Sequence, residues 1–442
     1  ETDLVPHENG WRGGAQLYHN WARVHASPPR TPDWYAQSPA WAWVGLRGQH
    51  EQNIWHTTSD LPAISQAVRR AGVRLIQLTA YAESGHDTLY PDYLPGPGLG
   101  GEAGLQEAVS QIHQSGSTIS MYVNGRLIDP ASSLEYGQRQ AWGVRAHPGA
   151  QVLTERYGSV IFELMCPGAS EWRELFIQKL IYLVEKFDIN GLYIDQVCGA
   201  RSFACYASDH QHTKPNLAWS FYRHFLEDLR ARLGEVKPEL FLATEGVNDL
   251  LGQYFDSMQA HNDWPSPMGD IAQPLHNLFR YTFPGHILNA GCIREGQSGM
   301  EYLSLAHLSG GSCDFGIWDW AKLPADFVPK IQNVLDWRQR QHETLQYGDL
   351  LPGLRCSPGF QANAYLASSK ILVNATRSTP YSGNTPPALA EIHLPNLEAG
   401  RIASVRRLHN GQMVACQWQP AKDSVKLLPP GEQIISIEIK LQ

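Results

Sequence analysis

The 442-residue chain has little charge, with 18% Asp, Glu, Lys and Arg against 43% hydrophobic residues. That balance excludes a disordered polyelectrolyte and describes a globular protein. It has no basic excess. The net charge of −8 argues against a nucleic-acid partner, which calls for a basic face. No apolar run approaches the roughly 18–20 residues of a membrane helix, so no membrane partner is expected. No Walker loop and no Gly-x-Ser-x-Gly elbow is present, which weighs against kinase and esterase chemistry. Gly96-Pro97-Gly98-Leu99-Gly100-Gly101 matches a dinucleotide fingerprint only formally, because Tyr93-Leu94-Pro95 stands where a hydrophobic strand should end.

Cysteine is scarce and unpatterned. The seven residues, Cys166, Cys198, Cys205, Cys292, Cys313, Cys356 and Cys416, include no Cys-x2-Cys pair. Cys198 and Cys205 are close enough to bridge within one loop. Asp209-His210-Gln211-His212 has the look of a metal site, but no third ligand stands out. A substrate-facing role is therefore weighed beside ordinary surface histidines, and neither metal nor organic cofactor is expected. The chain begins at Glu1 without Met, consistent with a removed leader or upstream domain and a secreted or periplasmic location.

Aromatic residues are plentiful, including 14 Trp and 18 Tyr, and flat aromatic faces stack on sugar rings as well as filling cores. Two apolar runs carry more information. Gly191-Leu192-Tyr193-Ile194-Asp195 and Leu240-Phe241-Leu242-Ala243-Thr244-Glu245 each follow an amphipathic helix and end in a single carboxylate. An ionised carboxylate is costly at the end of a buried strand unless something there uses it. In a βα-barrel, strand ends form the floor of the active site. One Asp and one Glu on neighbouring strands are the minimal equipment for cleaving a glycosidic bond.

Between residues 41 and 347 apolar runs alternate with helical periodicity, as in βαβ units. The spacing predicts strands at Trp41 to Leu46, Val73 to Ala80, Thr118 to Val123, the two carboxylate runs, Phe255 to Gln259, His286 to Ala290 and Asp314 to Trp318. Eight such units suit a (β/α)8 TIM barrel, with a doubly wound sheet as the alternative. Residues 348–442 lose helical periodicity and read as a small antiparallel β-sandwich. Residues 1–40, with Pro28, Pro29, Pro32 and Pro39, read as an extended segment.

Asp195 reads as a nucleophile and Glu245 as a general acid and base. Asp256 and Asp263, near the sixth strand, are rivals for the second role. Asn124 and Arg126 follow strand three, where they can bind sugar hydroxyls or hold Asp195 ionised, and Tyr81 follows strand two. Trp43, Trp264 and Trp318 are candidate stacking platforms. Each has an ordinary structural alternative, such as a helix cap, a loop ion pair or core packing.

The segment Phe187 to Asp195 resembles the fourth-strand nucleophile segment of alpha-amylase-like and melibiase-like glycoside hydrolases. Ala243-Thr244-Glu245-Gly246 is similar to the fifth-strand acid/base segment of the alpha-amylase-like group. Gly100-Gly101-Glu102 and Tyr193-Ile194-Asp195-Gln196 also resemble segments of large bacterial barrel proteins. The resemblance implies a retaining hydrolase of an oligo- or polysaccharide, acting at an α-linkage, with a β-sandwich after the barrel. The alternative is a carbohydrate-binding barrel without catalysis. Two departures weigh against starch. His286-Ile287-Leu288-Asn289-Ala290 stands where amylases carry His-Asp, and Tyr193 stands where they place an Arg. Melibiase-like enzymes place the acid/base on strand six, which keeps Asp256 and Asp263 in contention.

Overall fold

A computed structural model describes residues 10–260, 272–294, 296–324, 326–377, 390–421 and 424–442. Eight parallel strands close into a barrel. They are β1 (Ala40–Gly45), β2 (Leu75–Thr79), β3 (Thr118–Asn124), β4 (Gly191–Asp195), β5 (Phe241–Glu245), β6 (Ser257–Gln259), β7 (Leu288–Ile293) and β8 (Ser312–Phe315). The carboxylate runs end at Asp195 and Glu245 as the sequence implies. The later strands are displaced by about two residues from the sequence reading, because their short apolar runs carry no clear period.

The helices form where the apolar spacing demands them. Ser170–Phe187 buries Trp172, Phe176, Leu180, Leu183, Val184 and Phe187 on one face. Each such side chain contributes about 1.5–3 kcal/mol relative to exposure. The helix ends at Asp188 in a left-handed conformation, and β4 starts three residues later. Phe221–Val236 does the same service before β5, burying Tyr222, Phe225, Leu226, Leu229 and Leu233.

Two compact units are distinguished by their internal contacts. One contains residues 41–259, hence β1 to β6, together with 29–32. Within it the chain between β3 and β4 makes an excursion: a helix at Tyr136–Trp142 and a three-stranded antiparallel sheet of Leu127–Ile128, Thr154–Tyr157 and Val160–Leu164. The excursion is not legible in the sequence, since its strands are too short to show alternation.

The other unit contains β7, β8 and everything C-terminal to them. Its C-terminal part is two antiparallel sheets of six and four strands. Ile371, Val373 and Ala375 pair with Ile435, Ile437 and Ile439 on one inner face, and Ile392, Leu394, Val425 and Leu427 supply the other. Alternation at period two puts these residues inward and leaves their neighbours outward. The same unit corrects the reading of the N-terminus. Trp11–His25 is an α-helix and Asp33–Ala36 a short helical turn. The four prolines all follow the first helix, so they end it without interrupting it.

Candidate active site

Register decides which side chains meet inside the barrel. Trp43 stands opposite Gln77, Asn124 opposite Asp195, Tyr122 opposite Tyr193, Tyr193 opposite Ala243, and Glu245 opposite Gln259. Every second residue points inward. The C-terminal ends of β1 to β6 therefore line one cavity of about 320 Å3 with Trp43, Thr79, Tyr122, Tyr193, Asp195, Glu245 and Gln259. Loops add His86, Asp87, Tyr157 and Gln196.

Asp195 sits at the floor of this cavity, and three groups act on it. The Tyr122 hydroxyl donates to Oδ2 at 2.6 Å and the Asn124 amide donates to the same oxygen at 3.1 Å. The Glu245 carboxyl, at the end of the next strand, lines the same cavity and its charge acts on Asp195. Burial and then the Glu245 charge hold the Asp195 carboxyl well above the usual carboxylate range, while the Tyr122 hydroxyl pulls it back. Each carboxylate disfavours the ionised form of the other, which is part of what raises Asp195. Burial and the Asp195 charge push the Tyr122 phenol far above its ordinary value, so it remains a donor.

The aromatic wall is continuous. Tyr122 and Tyr193 stack with centroids 5.8 Å apart, and Trp43 meets Tyr193 edge to face at 5.0 Å. Tyr193 hydrogen-bonds to Gln259. Thr79 and His86 Nδ1 are 3.2 Å apart, and His86 Nε2 lies 3.6 Å from Asp87. Gln196 donates to the Tyr157 hydroxyl at 2.6 Å, tying the excursion to the end of β4. After Glu245 the chain turns through Gly246 at φ +78°, and a Cβ there would lie 2.2 Å from the Gly199 Cα. Only glycine fits that crossing.

The residues singled out in the sequence divide into groups. Asp195, Glu245 and Trp43 line the cavity, and Asn124 is buried beneath it holding Asp195. Arg126 is buried and ion-paired with Glu155; it reaches Gln196 at 3.3 Å and does not touch Asp195 by any hydrogen bond described. Tyr81 lies outside the cavity lining, donating to the Tyr122 carbonyl at 2.7 Å. Asp256 corrects the expectation of a site residue. It precedes β6, at the end of the strand away from the cavity, and pairs with Arg230 at 2.8 Å and the Leu242 amide at 2.8 Å. Trp318 follows β8 and is 61% exposed in the other unit. Asp263 and Trp264 lie outside the described residues.

His210 and His212 are buried away from the cavity, so the substrate-facing reading fails for both. They meet Cys166 and Cys205 in a cluster of four metal-ligand side chains. Cys205 consequently does not pair with Cys198, and none of the seven cysteines is in a disulfide. Sequence reasoning missed Tyr122, Asp87, His86, Gln196 and Gln259. Tyr122 was recoverable, because it lies two positions before Asn124 on the same face of β3.

The sequence profile of a family described as a domain of unknown function, DUF6259, matches residues 1–292. The chain belongs to that family. A Bacteroides thetaiotaomicron protein named "Putative glycoside hydrolase" is 26% identical over 371 residues, covering 78% of this chain and 51% of that protein. A Monosiga brevicollis protein named "Putative glycoside hydrolase 22789" is 28% identical over 274 residues, covering 54% of this chain and 22% of that protein. This DUF6259 chain thus spans about half the length of the first relative and less of the second. Among solved structures, a GH36 alpha-galactosidase from Geobacillus stearothermophilus superposes with TM-score 0.68 at 13% identity, covering 98% of this chain and 59% of that one. An alpha-amylase from Geobacillus thermoleovorans gives TM-score 0.62 at 14% identity, covering 93% and 99%. At these identities the likeness is one of fold.

Proposed function

We propose that the chain is a glycoside hydrolase that cleaves an α-linked oligo- or polysaccharide with retention, using Asp195 as nucleophile and Glu245 as acid and base. One observation carries this reading: the two carboxyl groups end adjacent strands, line one cavity, and the charge of Glu245 raises the Asp195 pKa. An inverting pair stands roughly 6.5–9.5 Å apart to hold water between its members, whereas a retaining pair stands about 5–5.5 Å apart. Position on neighbouring strands, near enough for the Glu245 charge to shift Asp195, supports the shorter, retaining separation. The names of the relatives support hydrolysis of a glycoside, and the alpha-galactosidase and alpha-amylase folds support the α-linkage.

The first step needs Asp195 ionised and the proton on Glu245; the donors of Tyr122 and Asn124 favour that form of Asp195 against the burial and the Glu245 charge that raise its pKa. Asp195 attacks the anomeric carbon while Glu245 gives its proton to the departing oxygen. Glu245, now a carboxylate, then takes a proton from water, and that water displaces Asp195 from the sugar. Trp43, Tyr193 and Tyr157 offer ring faces, and Asp87, His86 and Gln259 offer partners for hydroxyl groups. No cofactor enters either step.

The test is release of reducing sugar from α- and β-linked glycans by wild type, Asp195→Asn and Glu245→Gln. Loss of at least about a hundredfold in both variants supports the reading, since a positioned acid/base alone contributes about 10²–10⁴. Full activity in Glu245→Gln refutes its role. Glycan binding without turnover by wild type establishes instead a carbohydrate-binding barrel.

A further inference from the structure

Residues 196–214, between β4 and the next helical turn, contain no helix or strand. Loops beyond about 12–15 residues without secondary structure are uncommon in compact units unless something holds them. This one folds around a buried cluster. Cys205, His210 and His212 come from the loop, and Cys166 comes from the turn after the Val160–Leu164 strand. One ligand atom from each of the four lies within 4.8 Å of all the others. The cysteines' side chains are fully covered, and the histidines are 8% and 7% exposed.

We propose that Cys166, Cys205, His210 and His212 bind a zinc ion as a structural site that fastens this loop. A tetrahedral zinc has bonds of about 2.3 Å to sulfur and 2.0–2.1 Å to nitrogen, which sets ligand atoms roughly 3.3–3.8 Å apart. Cys205 Sγ and His210 Nδ1 are 3.4 Å apart. The other ring nitrogen of His210 lies 2.9 Å from the Ala141 carbonyl oxygen. That carbonyl fixes the proton on Nε2 and leaves the Nδ1 lone pair facing the sulfur, the usual outer support of a metal-bound histidine. The Gly168 N–H donates to Cys166 Sγ at 3.3 Å, an outer support for the sulfur.

Two further features point to a missing partner. His212 Nε2 is buried with no hydrogen-bond partner among the described residues, and buried polar atoms are rarely left so. Gly168 also passes so close that a Cβ on it would stand 2.6 Å from His212 Cδ2 and 3.4 Å from Cys166 Sγ. The chain is thus drawn tightly over the cluster at the one residue without a side chain. Two thiolates and two neutral imidazoles balance the dication, so the assembly is buried without net charge. Four protein ligands fill a tetrahedral shell and leave no position for substrate, which makes the site structural and not catalytic. None of the four lines the Asp195 cavity, so the inference stands apart from the proposed glycosidase reading. The mechanical consequence is local: the same loop begins at Gln196, which lines that cavity, and is braced where Arg126 donates to the Arg201 carbonyl at 2.8 Å.

The experiment is elemental analysis of the chain purified without chelator, followed by replacement of the metal with cobalt(II). About one zinc per chain is expected, with the visible ligand-field bands and thiolate charge-transfer absorption of tetrahedral cobalt. Cys205→Ser and His212→Gln should reduce the zinc to background and lower the melting temperature, while Cys416→Ser and Asp195→Asn should keep it. The wild-type cobalt spectrum decides the matter even where a cluster variant fails to fold. A wild-type chain that carries no zinc and gives no tetrahedral cobalt spectrum overturns the proposal. So does a Cys166–Cys205 disulfide found by peptide mapping, since it consumes both sulfur ligands.

Discussion

Tyr122→Phe removes a single hydroxyl from the proposed catalytic centre and tests how Asp195 is kept ionised. The phenyl ring retains the stack on Tyr193, so the volume of the wall is conserved. What disappears is the 2.6 Å bond to Asp195 Oδ2, leaving the Asn124 amide at 3.1 Å on that oxygen. A hydrogen bond to a charged group contributes about 1.5–3 kcal/mol, and one pKa unit corresponds to about 1.36 kcal/mol. The variant's carboxyl should therefore rise by about 1–2 units, nearer one because Asn124 remains. The direction follows from the donor, since Tyr122 lowers the Asp195 pKa in the wild type. A nucleophile must be ionised, so the acidic limb of kcat/KM against pH moves up by about one unit. Activity falls about tenfold on the acid side of the profile, with a smaller loss at higher pH. The assay is kcat/KM across the pH range on whichever glycan the wild type cleaves, with thermal unfolding as a control. An acidic limb that stays in place, or shifts downward, refutes the assignment of Tyr122 as the donor that holds Asp195 charged.

Three other outcomes are expected. Asp195→Asn should melt above wild type at neutral pH, because burial and Glu245 raise the Asp195 pKa above its unfolded value; the folded protein then binds the proton more tightly, so stability is lost as pH rises from about 4 through the folded pKa. Scanning calorimetry at pH 4 and pH 7 checks this, and the gain over wild type should be larger at pH 7. Arg230→Met leaves the fully buried Asp256 unpaired and should cost about 3–5 kcal/mol in urea unfolding, while the specific activity of the folded fraction holds, since that pair lies at the other end of the strands from the cavity. Gly246→Ala forces a Cβ against Gly199 at a positive φ and should cost at least about 1–2 kcal/mol; it should also depress kcat by displacing Glu245, and a variant with wild-type unfolding and kcat would contradict the crossing.

Much of the barrel is legible in the chain because it is built from strongly periodic pieces. The helices ending at Phe187 and Val236 bury apolar residues at i, i+3 and i+4 and hand over at once to four or five apolar residues that can only be a buried strand. The carboxylates at the ends of two such strands are conspicuous for the same reason, since charge is expensive there. Where periodicity is weak, the reading weakens with it. β6, β7 and β8 lie about two residues from where the spacing places them, the prolines after the N-terminal helix give residues 1–40 the look of extended chain, and Asp256 resembles Asp195 in sequence because a linear sequence does not say which end of a strand a residue occupies.

The sequence by itself determined the eightfold alternation, the antiparallel strands after it and the two carboxylates that end apolar runs, because all three follow from spacing along a few neighbouring residues. Only the tertiary structure decided the company those carboxylates keep. Tyr122 and Asp195 are 73 residues apart in the chain and 2.6 Å apart in space. Cys166 lies far from His210 and His212 in sequence, yet it shares their cluster. Local pattern sets which face of an element is buried; closure of the barrel and the path of its loops set which residues from distant elements arrive at one point, and no spacing rule along the chain encodes that convergence.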